Sequence, residues 1–259
     1  MNAWGDSLTE ADYNYQIWGN PANVFHRMSN QLSSVFKLHS ASVNFILVGA
    51  CDGTHDKTIS ERFIPNSHWR AAFVEAISIN VRDLNFFLAN RSVADRSFVL
   101  HAAATNICYN ATIPVQRPRL EEKSLETKKE IAHWMRRQIG GIATKNHLLP
   151  KGAQEDRANW LTEDVRCVTG GDVIREWATV LYNEKLAARN ILRPHVLKID
   201  AEGHDYEVLM SFVSPDISDA QLPLLIDFEA KSLNENYPKT VELLKSRYDV
   251  YPYGSPTKD

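Results

Sequence analysis

A short glycine turn that contains an acid is the part of this sequence best suited to hold a cofactor. It is Gly49-Ala50-Cys51-Asp52-Gly53, and it follows the apolar run 45–48. A bounded apolar run with β-branched members is typical of a strand that is buried on both faces. Glycines after such a strand let the backbone turn sharply and approach a ligand. The pattern predicts the nucleotide-binding turn of a doubly wound α/β sheet, and an ordinary strand followed by a turn is the simpler alternative.

Asp52 narrows the choice of cofactor. Dinucleotide sites offer amide groups to a pyrophosphate and use the spacing G-x-G-x-x-G, whereas the spacing here is G-x-x-x-G. A carboxylate in contact with a phosphate costs about 1 kcal/mol even in water, and more at lower dielectric. A phosphate-free cofactor with a cationic centre, such as S-adenosylmethionine, avoids that repulsion. A nicotinamide-dependent dehydrogenase is therefore the weaker interpretation of this turn.

Glu75 is the predicted ribose-binding acid. It ends the apolar run 71–75, and the residues after it have apolar positions at helical spacing, which predicts a strand and a helix that close a βαβ unit. An acid at the end of the second strand of such a unit hydrogen-bonds a ribose diol. Glu75 lies 22 residues after Gly53, close to the spacing of about 20 expected for that acid. A solvated surface glutamate is the alternative.

A second acidic turn supplies the predicted catalytic residues, which are Asp200, Glu202 and His204. It follows the apolar run 195–199, and ligands of open α/β sheets bind at the carboxyl ends of such strands. Asp200 is the first candidate for contact with the acceptor or cofactor. His204 is the natural general base because its unperturbed pKa is near neutral, although a surface histidine at a helix end is the competing interpretation.

A metal ion is a further alternative at this edge. Asp200 and Glu229 end two strands that are expected to be adjacent. Their carboxylates could share one Mg²⁺ with water and two acceptor hydroxyls. In the simpler interpretation, Glu202 and Glu229 orient loops by accepting backbone N–H bonds, so the prediction is no resident metal.

Composition places limits on the class of protein. The chain has 259 residues, is 44% hydrophobic and 24% charged, and has a formal net charge of -3, which suits one α/β domain without a basic face for nucleic acid. The sequence has no apolar run of membrane-spanning length. Its cysteines, Cys51, Cys108 and Cys167, are too few and scattered for a disulfide framework. They predict thiols in a reducing compartment, and hence a cytoplasmic protein. The net charge and the lack of a long apolar run predict that it has neither a nucleic-acid partner nor a membrane partner.

The remaining patterns predict the elements that position these turns. We expect a helical extension over residues 1–42, with its helix at 22–38, and a cofactor-binding domain over 43–259. A long excursion at about 106–160, with a charged helix at 120–138, is typical of a lid or a substrate-shaping insert. Further elements are predicted as strands at 45–48, 98–102, 165–168, 195–199, 222–228 and 249–253, and helices at 57–63, 173–184 and 237–248. The last strand leaves no following hairpin, so a shortened sheet or a fragment is expected.

Three motifs in this order resemble those of the FkbM family of S-adenosylmethionine-dependent methyltransferases. Val48 to Gly53 is similar to the family's V-G-A-x-x-G, and Phe73-Val74-Glu75 is similar to F-x-E-P, with Ala76 in place of the proline. The stretch Lys198 to Leu209 matches K-I-D-x-E-G-x-[ED]-x-x-x-L throughout. Two departures are Cys51, where the family usually has Asn, and the stretch 169–172, Thr-Gly-Gly-Asp, where it often has T-L-D-D.

The resemblance implies a fold, an activity and site roles. It implies a Rossmann-like doubly wound methyltransferase sheet that transfers a methyl group from S-adenosylmethionine, with the methionine part of the cofactor surrounded by Gly49, Ala50, Asp52 and Gly53. Glu75 would hold the ribose hydroxyls, and the small side chains of Ala103 and Ala104 would leave space for the adenine. The expected reaction is O-methylation of a hydroxyl on a small molecule or glycan. A catalytically inactive cofactor-binding module of the same fold is the alternative.

Overall fold

The computed structural model describes residues 21–108, 111–118, 141–142, 160–187, 192–201, 203–214, 217–228, 233 and 235–250. In chain order the helices are α1 (Pro21–Leu38), α2 (Ser78–Asn90), α3 (Gly170–Ala187), α4 (Asp205–Val213) and α5 (Tyr237–Lys245). The strands are β1 (Val43–Val48), β2 (Trp69–Glu75), β3 (Ser97–His101), β4 (Ala103–Ala104), β5 (Thr112–Pro118), β6 (Gly141–Ile142), β7 (Trp160–Val168), β8 (Val196–Ile199) and β9 (Leu225–Phe228). A π-helical turn, Ile59–Phe63, and a 3-10 turn, Ala94–Arg96, lie between them.

The central sheet is parallel and has the order β3-β2-β1-β8-β9. The chain moves outward from β1 to β3, then returns to pair β8 with β1, so the direction of winding reverses between these two strands. Ligands bind at the carboxyl side of such a reversal in open α/β sheets. The predicted fold class, a Rossmann-like doubly wound α/β sheet, is confirmed.

The core lies on both faces of this sheet because alternate residues of each buried strand point to opposite sides. On one face, Ile46 and Leu197 pack with Trp177 of α3 and Phe212 of α4. On the other face, an apolar cluster combines the strands with α1, α2 and the π-helical turn, and includes Phe25, Phe45, Phe63, Phe73 and Leu84. Phe25, Leu32 and Phe36 attach α1 to this face of the sheet, and the observed helix agrees with the predicted one at 22–38.

Several element boundaries differ from the predictions. The predicted crossover helix at 57–63 is helical, but its main part is a π-turn in which the Ile64 amide donates to the Ile59 carbonyl at 2.9 Å. The predicted strand at 165–168 is longer and begins at Trp160. The predicted strand at 249–253 is wrong where it can be compared, because Asp249 and Val250 are irregular, and the rest lies outside the described residues.

The insert contains a second sheet with the order β4-β7-β5-β6. Its main feature is an antiparallel ladder that runs from Thr112 opposite Arg166 to Pro118 opposite Trp160. Strand β7 of this sheet extends to Val168, past the end of the predicted range at about 160. The predicted charged helix at 120–138 lies outside the described residues. Within the part of the chain that is described, no helix is both long and apolar enough to cross a bilayer.

A disulfide joins Cys108 to Cys167, with their Cα atoms 5.7 Å apart, inside the usual range for such a bond. The prediction that these two cysteines are thiols is wrong. The two cysteines are 59 residues apart, a spacing that belongs to no recognisable motif. They meet because β7 returns to pair with β4. The prediction of a cytoplasmic location was based on three thiols, so the pairing removes that basis.

We expect the disulfide to stabilise the folded chain. Because it closes a long loop, replacing both residues (Cys108→Ala with Cys167→Ala) should lower the free energy of unfolding by about 2–4 kcal/mol. Urea unfolding of the two proteins measures this difference. A dithiol reductant should destabilise the wild-type chain and leave the double variant unchanged, and recovery of both residues as thiols from a non-reduced digest would contradict the pairing.

Candidate functional site

The glycine turn at the end of β1 has an unusual backbone. Gly49, Cys51 and Gly53 have positive φ angles of +80°, +51° and +78°. Such angles suit glycine, whereas a residue with a Cβ is strained there by about 1–2 kcal/mol. Cys51 stands where the FkbM family usually has Asn, the non-glycine residue that tolerates this conformation well.

Both glycines make room for other parts of the protein. A Cβ on Gly49 would lie 1.9 Å from the carbonyl oxygen of Asp200, and one on Gly53 would lie 2.7 Å from Cδ1 of Leu84 in α2. The sequence suggested that the glycines allow close approach to a ligand. The structure shows that they allow close approach of the acidic turn after β8 and of helix α2. The first glycine therefore brings the two predicted functional turns into contact.

Glu75 lies directly beneath this turn. Its Oε2 accepts a hydrogen bond from the Cys51 amide at 2.8 Å, and its Oε1 accepts from the Ile77 amide at 2.8 Å and from Nδ2 of Asn80 at 3.5 Å. The side chain is buried. Burial raises the pKa of Glu75, and the hydrogen bonds from Ile77, Cys51 and Asn80 offset part of that shift. The solvated surface interpretation of Glu75 is wrong.

Asp52 is also buried and stabilises the same turn. Its Oδ1 accepts hydrogen bonds from the Thr54 amide at 3.0 Å and the Thr54 hydroxyl at 2.6 Å, which is the pattern of an Asx turn. Because Glu75 binds the amide of Cys51, the residue before Asp52, the two acids flank one turn. Asp52 and Glu75 thus hold the same turn, and their contact with a cofactor stays a prediction.

The second acidic turn lies against the first. The Asp200 amide donates to the Val48 carbonyl at 2.9 Å, and the residue itself is exposed at the sheet edge. Asp205 organises the turn from within, since its carboxylate accepts from the Gly203 amide at 3.1 Å and the Ala201 amide at 3.4 Å. Burial raises the pKa of Asp205, with these amides acting in the opposite direction. Sequence reasoning had named Asp205 only as a motif residue.

His204 occupies a different environment from the one expected of a surface residue. It is buried just before α4, and its Nδ1 lies 3.3 Å from a carboxylate oxygen of Glu207. The surface interpretation of His204 is therefore wrong, and its role as a general base stays a prediction. Glu202 and Glu229 lie outside the described residues, so their predicted roles also stay predictions.

Ala50 and Ala103, the two alanines predicted to contact the cofactor, are buried. Ala50 lies inside the glycine turn, and Ala103 packs with Ile77, Val115 and Val165 in an apolar cluster between the insert and the end of β2. Ala103 therefore gives the insert a close fit to the central sheet. No group of three or more histidine, cysteine, aspartate or glutamate residues suited to a metal ion occurs within the described ranges.

Lys198 and Asp56 form a partly buried ion pair that sequence reasoning missed. Nζ of Lys198 lies 2.7 Å from Oδ2 of Asp56, while Oδ1 of Asp56 accepts from the amides of Thr58 at 2.6 Å and Ile59 at 3.1 Å. Burial alone would lower the pKa of Lys198, but the carboxylates of Asp56, Asp227 and Asp200 outweigh it and raise the pKa. The signal available in the sequence was a lysine two residues before Asp200 in a buried strand.

The departure from the family's T-L-D-D has a local explanation. The Thr169 amide donates to Asp172 at 2.8 Å, and the Asp172 amide donates to the Thr169 hydroxyl at 3.1 Å, which is a reciprocal cap at the start of α3. A Cβ on Gly170 would lie 2.6 Å from Phe212 of α4. Thr169 and Asp172 thus cap the helix, and Gly170 lets α3 approach α4.

Comparisons with known proteins show weak similarity. No family model matches the chain, and no curated protein matches it. The X-ray structure of YjhP from E. coli shares 12% identity over 30% of this chain and 31% of its own, with a TM-score of 0.22. A SAM-dependent methyltransferase from Geobacter sulfurreducens, in complex with S-adenosyl-L-homocysteine, shares 12% identity over 32% of this chain and 31% of its own, with a TM-score of 0.24. Membership of the FkbM family stays a prediction.

The contact between the two turns can be tested with a glycine pair. Gly49→Ala should lower the free energy of unfolding by more than about 2 kcal/mol, because it adds left-handed strain to a clash with the Asp200 backbone. The matched control is Gly171→Ala, where the nearest atom would be 3.7 Å away and alanine favours the helix by up to about 1 kcal/mol. Urea denaturation measures both, and equal stability of the two variants would contradict the contact.

The ion pair between Lys198 and Asp56 can be tested with a double-mutant cycle. Lys198→Met should cost about 1–3 kcal/mol, because the partly buried Asp56 carboxylate loses its cation. Adding Asp56→Asn removes that charge and keeps an oxygen for the Thr58 and Ile59 amides, so the double variant should be more stable than Lys198→Met alone. A coupling energy under about 0.5 kcal/mol, from unfolding curves of the four proteins, would argue against the pair.

Proposed function

We propose that the chain is an S-adenosylmethionine-dependent methyltransferase that methylates a hydroxyl of a small molecule or glycan. The observation that supports the cofactor most directly is the position of Glu75. Its carboxylate is fixed by the Cys51 and Ile77 amides at the carboxyl end of β2, beside the reversal of the sheet. That is the place where a doubly wound fold holds a ribose diol.

The donor and acceptor set also fits a cationic cofactor. Asp52 and Glu75 flank the glycine turn, and Asp200 contacts it through its backbone. These carboxylates would repel the pyrophosphate of a dinucleotide and attract a sulfonium and an α-ammonium. In this proposal Glu75 binds the ribose, and the glycine turn encloses the methionine part. Asp52 stabilises that turn, and its negative charge attracts the α-ammonium group of the cofactor.

The residues of the chain would contribute positioning and proton removal. S-adenosylmethionine, when bound, supplies a methyl group already activated by the positive sulfur. Transfer to a hydroxyl breaks the methyl–sulfur bond, forms a carbon–oxygen bond and releases the hydroxyl proton, so alignment of the two partners is the main requirement. We assign proton acceptance to Asp200 and not to His204, the base that the sequence suggested, because Asp200 is exposed at the edge, whereas His204 is buried beside Glu207. His204 would hold the turn that presents Asp200.

The cofactor assignment is tested by calorimetric titration with S-adenosylhomocysteine. The wild-type chain should bind it saturably, and Glu75→Gln should weaken binding by about 10-fold to 100-fold, which is the usual range for losing a hydrogen bond to a charged group. Glu242→Gln, at an exposed position of α5, is the control and should bind like wild type. No saturable binding at millimolar ligand would end the proposal, as would NAD binding that survives Glu75→Gln.

The same titration has an expected pH dependence. Because the pKa of Glu75 is raised above its usual 4.5, this residue takes up a proton on acidification before an ordinary glutamate does. Protonation removes the acceptor for the ribose diol, so affinity should fall as the pH decreases through the raised pKa, and Glu75→Gln should lose this dependence. Methyl transfer to a panel of alcohols and glycans then tests the catalytic part, and cofactor binding without any transfer would leave only a binding module.

A further inference from the structure

A carboxylate of the insert reaches the start of helix α2, next to the amide that binds Glu75. Oε2 of Glu163, in β7, accepts a hydrogen bond from the Ser78 amide at 3.1 Å. Ser78 is the first residue of α2, and the preceding amide, that of Ile77, donates to Glu75. Two neighbouring amides of one helix end thus bind two carboxylates that are far apart in sequence. Early amides of a helix lack partners within the helix and favour negative charge.

The position of Glu163 is fixed by its own partner. Arg117, in the facing strand β5, forms an ion pair with the other oxygen of Glu163, and both side chains are half-buried. Burial alone would raise the pKa of Glu163, but the bonds from Arg117 and Ser78 outweigh it and lower the pKa. Glu163 is therefore held as a carboxylate between the ladder of the insert and the start of α2.

Apolar contacts also hold the insert against the start of α2. Ile77, next to Ser78, packs with Ala103 of β4, Val115 of β5 and Val165 of β7. Since Val115 and Val165 lie two residues from Arg117 and Glu163 respectively, their side chains share a face with the ion pair on each strand. The insert is therefore docked against residues 77 and 78 by both packing and charge.

We propose that Glu163 is a positioning residue for the cofactor site, acting through the turn at residues 76–78. This inference rests on the proposed function. Glu163 fixes the Ser78 amide, the adjoining peptide fixes the Ile77 amide, and the Ile77 amide fixes the Glu75 carboxylate that binds the ribose. The insert thereby sets the affinity of the cofactor site through Glu163, which contacts Glu75 only by way of this turn.

The test compares two ion pairs of the same strand. Glu163→Ala removes the bond to Ser78, whereas Glu163→Gln keeps an oxygen that can accept it. The matched control is Glu176→Ala, because Glu176 of α3 pairs with Arg166, also in β7, away from α2. Amide hydrogen exchange at Ile77 and Ser78 reports the turn, and titration with S-adenosylhomocysteine reports the site.

We expect Glu163→Ala to speed exchange at both amides about 10-fold and to weaken S-adenosylhomocysteine binding by roughly 3-fold to 10-fold, the loss expected for one net hydrogen bond. Glu163→Gln should recover most of both effects, and Glu176→Ala should produce neither. Unchanged affinity in Glu163→Ala, or an equal loss in Glu176→Ala, would overturn the inference.

The readouts separate this inference from the proposed function. If the wild-type chain binds no S-adenosylhomocysteine, the proposed function fails, and the cofactor part of the inference fails with it. Amide exchange still decides whether Glu163 holds the turn, because it needs no ligand. Protection at Ile77 and Ser78 that survives Glu163→Ala would overturn that part as well.

Discussion

The carboxylate of Glu75 is buried, and a carboxylate taken out of water has to be surrounded by hydrogen-bond donors if it is to hold a charge. The donors here are backbone amides, one from Cys51 in the glycine turn and one from Ile77 before α2. To present that amide, the turn holds Cys51 in a left-handed conformation between two glycines. The need to satisfy one buried acid thus joins the end of β1, the end of β2 and the start of α2.

Glu163 adds a second carboxylate near that of Glu75, and two carboxylates this close in the fold would ordinarily repel each other. Two features reduce this repulsion. The amides at the start of α2 attract negative charge, and Arg117 forms an ion pair with Glu163. Lys198 has the corresponding role at the neighbouring edge, where Asp56, Asp200 and Asp227 raise its pKa. Arg117 and Lys198 therefore offset part of the negative charge around the site.

Local patterns were enough to predict the frame of the site. Apolar runs bounded by turn residues marked the central strands, since strands buried on both faces are continuous in apolar residues. The spacing from Gly53 to Glu75 placed the acid at the end of β2, because the ribose-binding acid of a βαβ unit lies about 20 residues after the glycine turn. The need for glycine at position 49 was not predictable in the same way, because a Cβ there would clash with the backbone of Asp200, which is distant in sequence.

The contacts that were missed join residues distant in sequence. Glu163 and Ser78 are 85 residues apart, Lys198 and Asp56 are 142 apart, and the disulfide spans 59. No periodicity or spacing indicates such pairs, because each depends on how the insert and β8 return to the central sheet. A buried charge, however, requires a partner wherever the chain can provide one. A lysine or glutamate inside an otherwise buried strand therefore predicts an opposite charge or an amide nearby, even though its position in the sequence cannot be read from that strand alone.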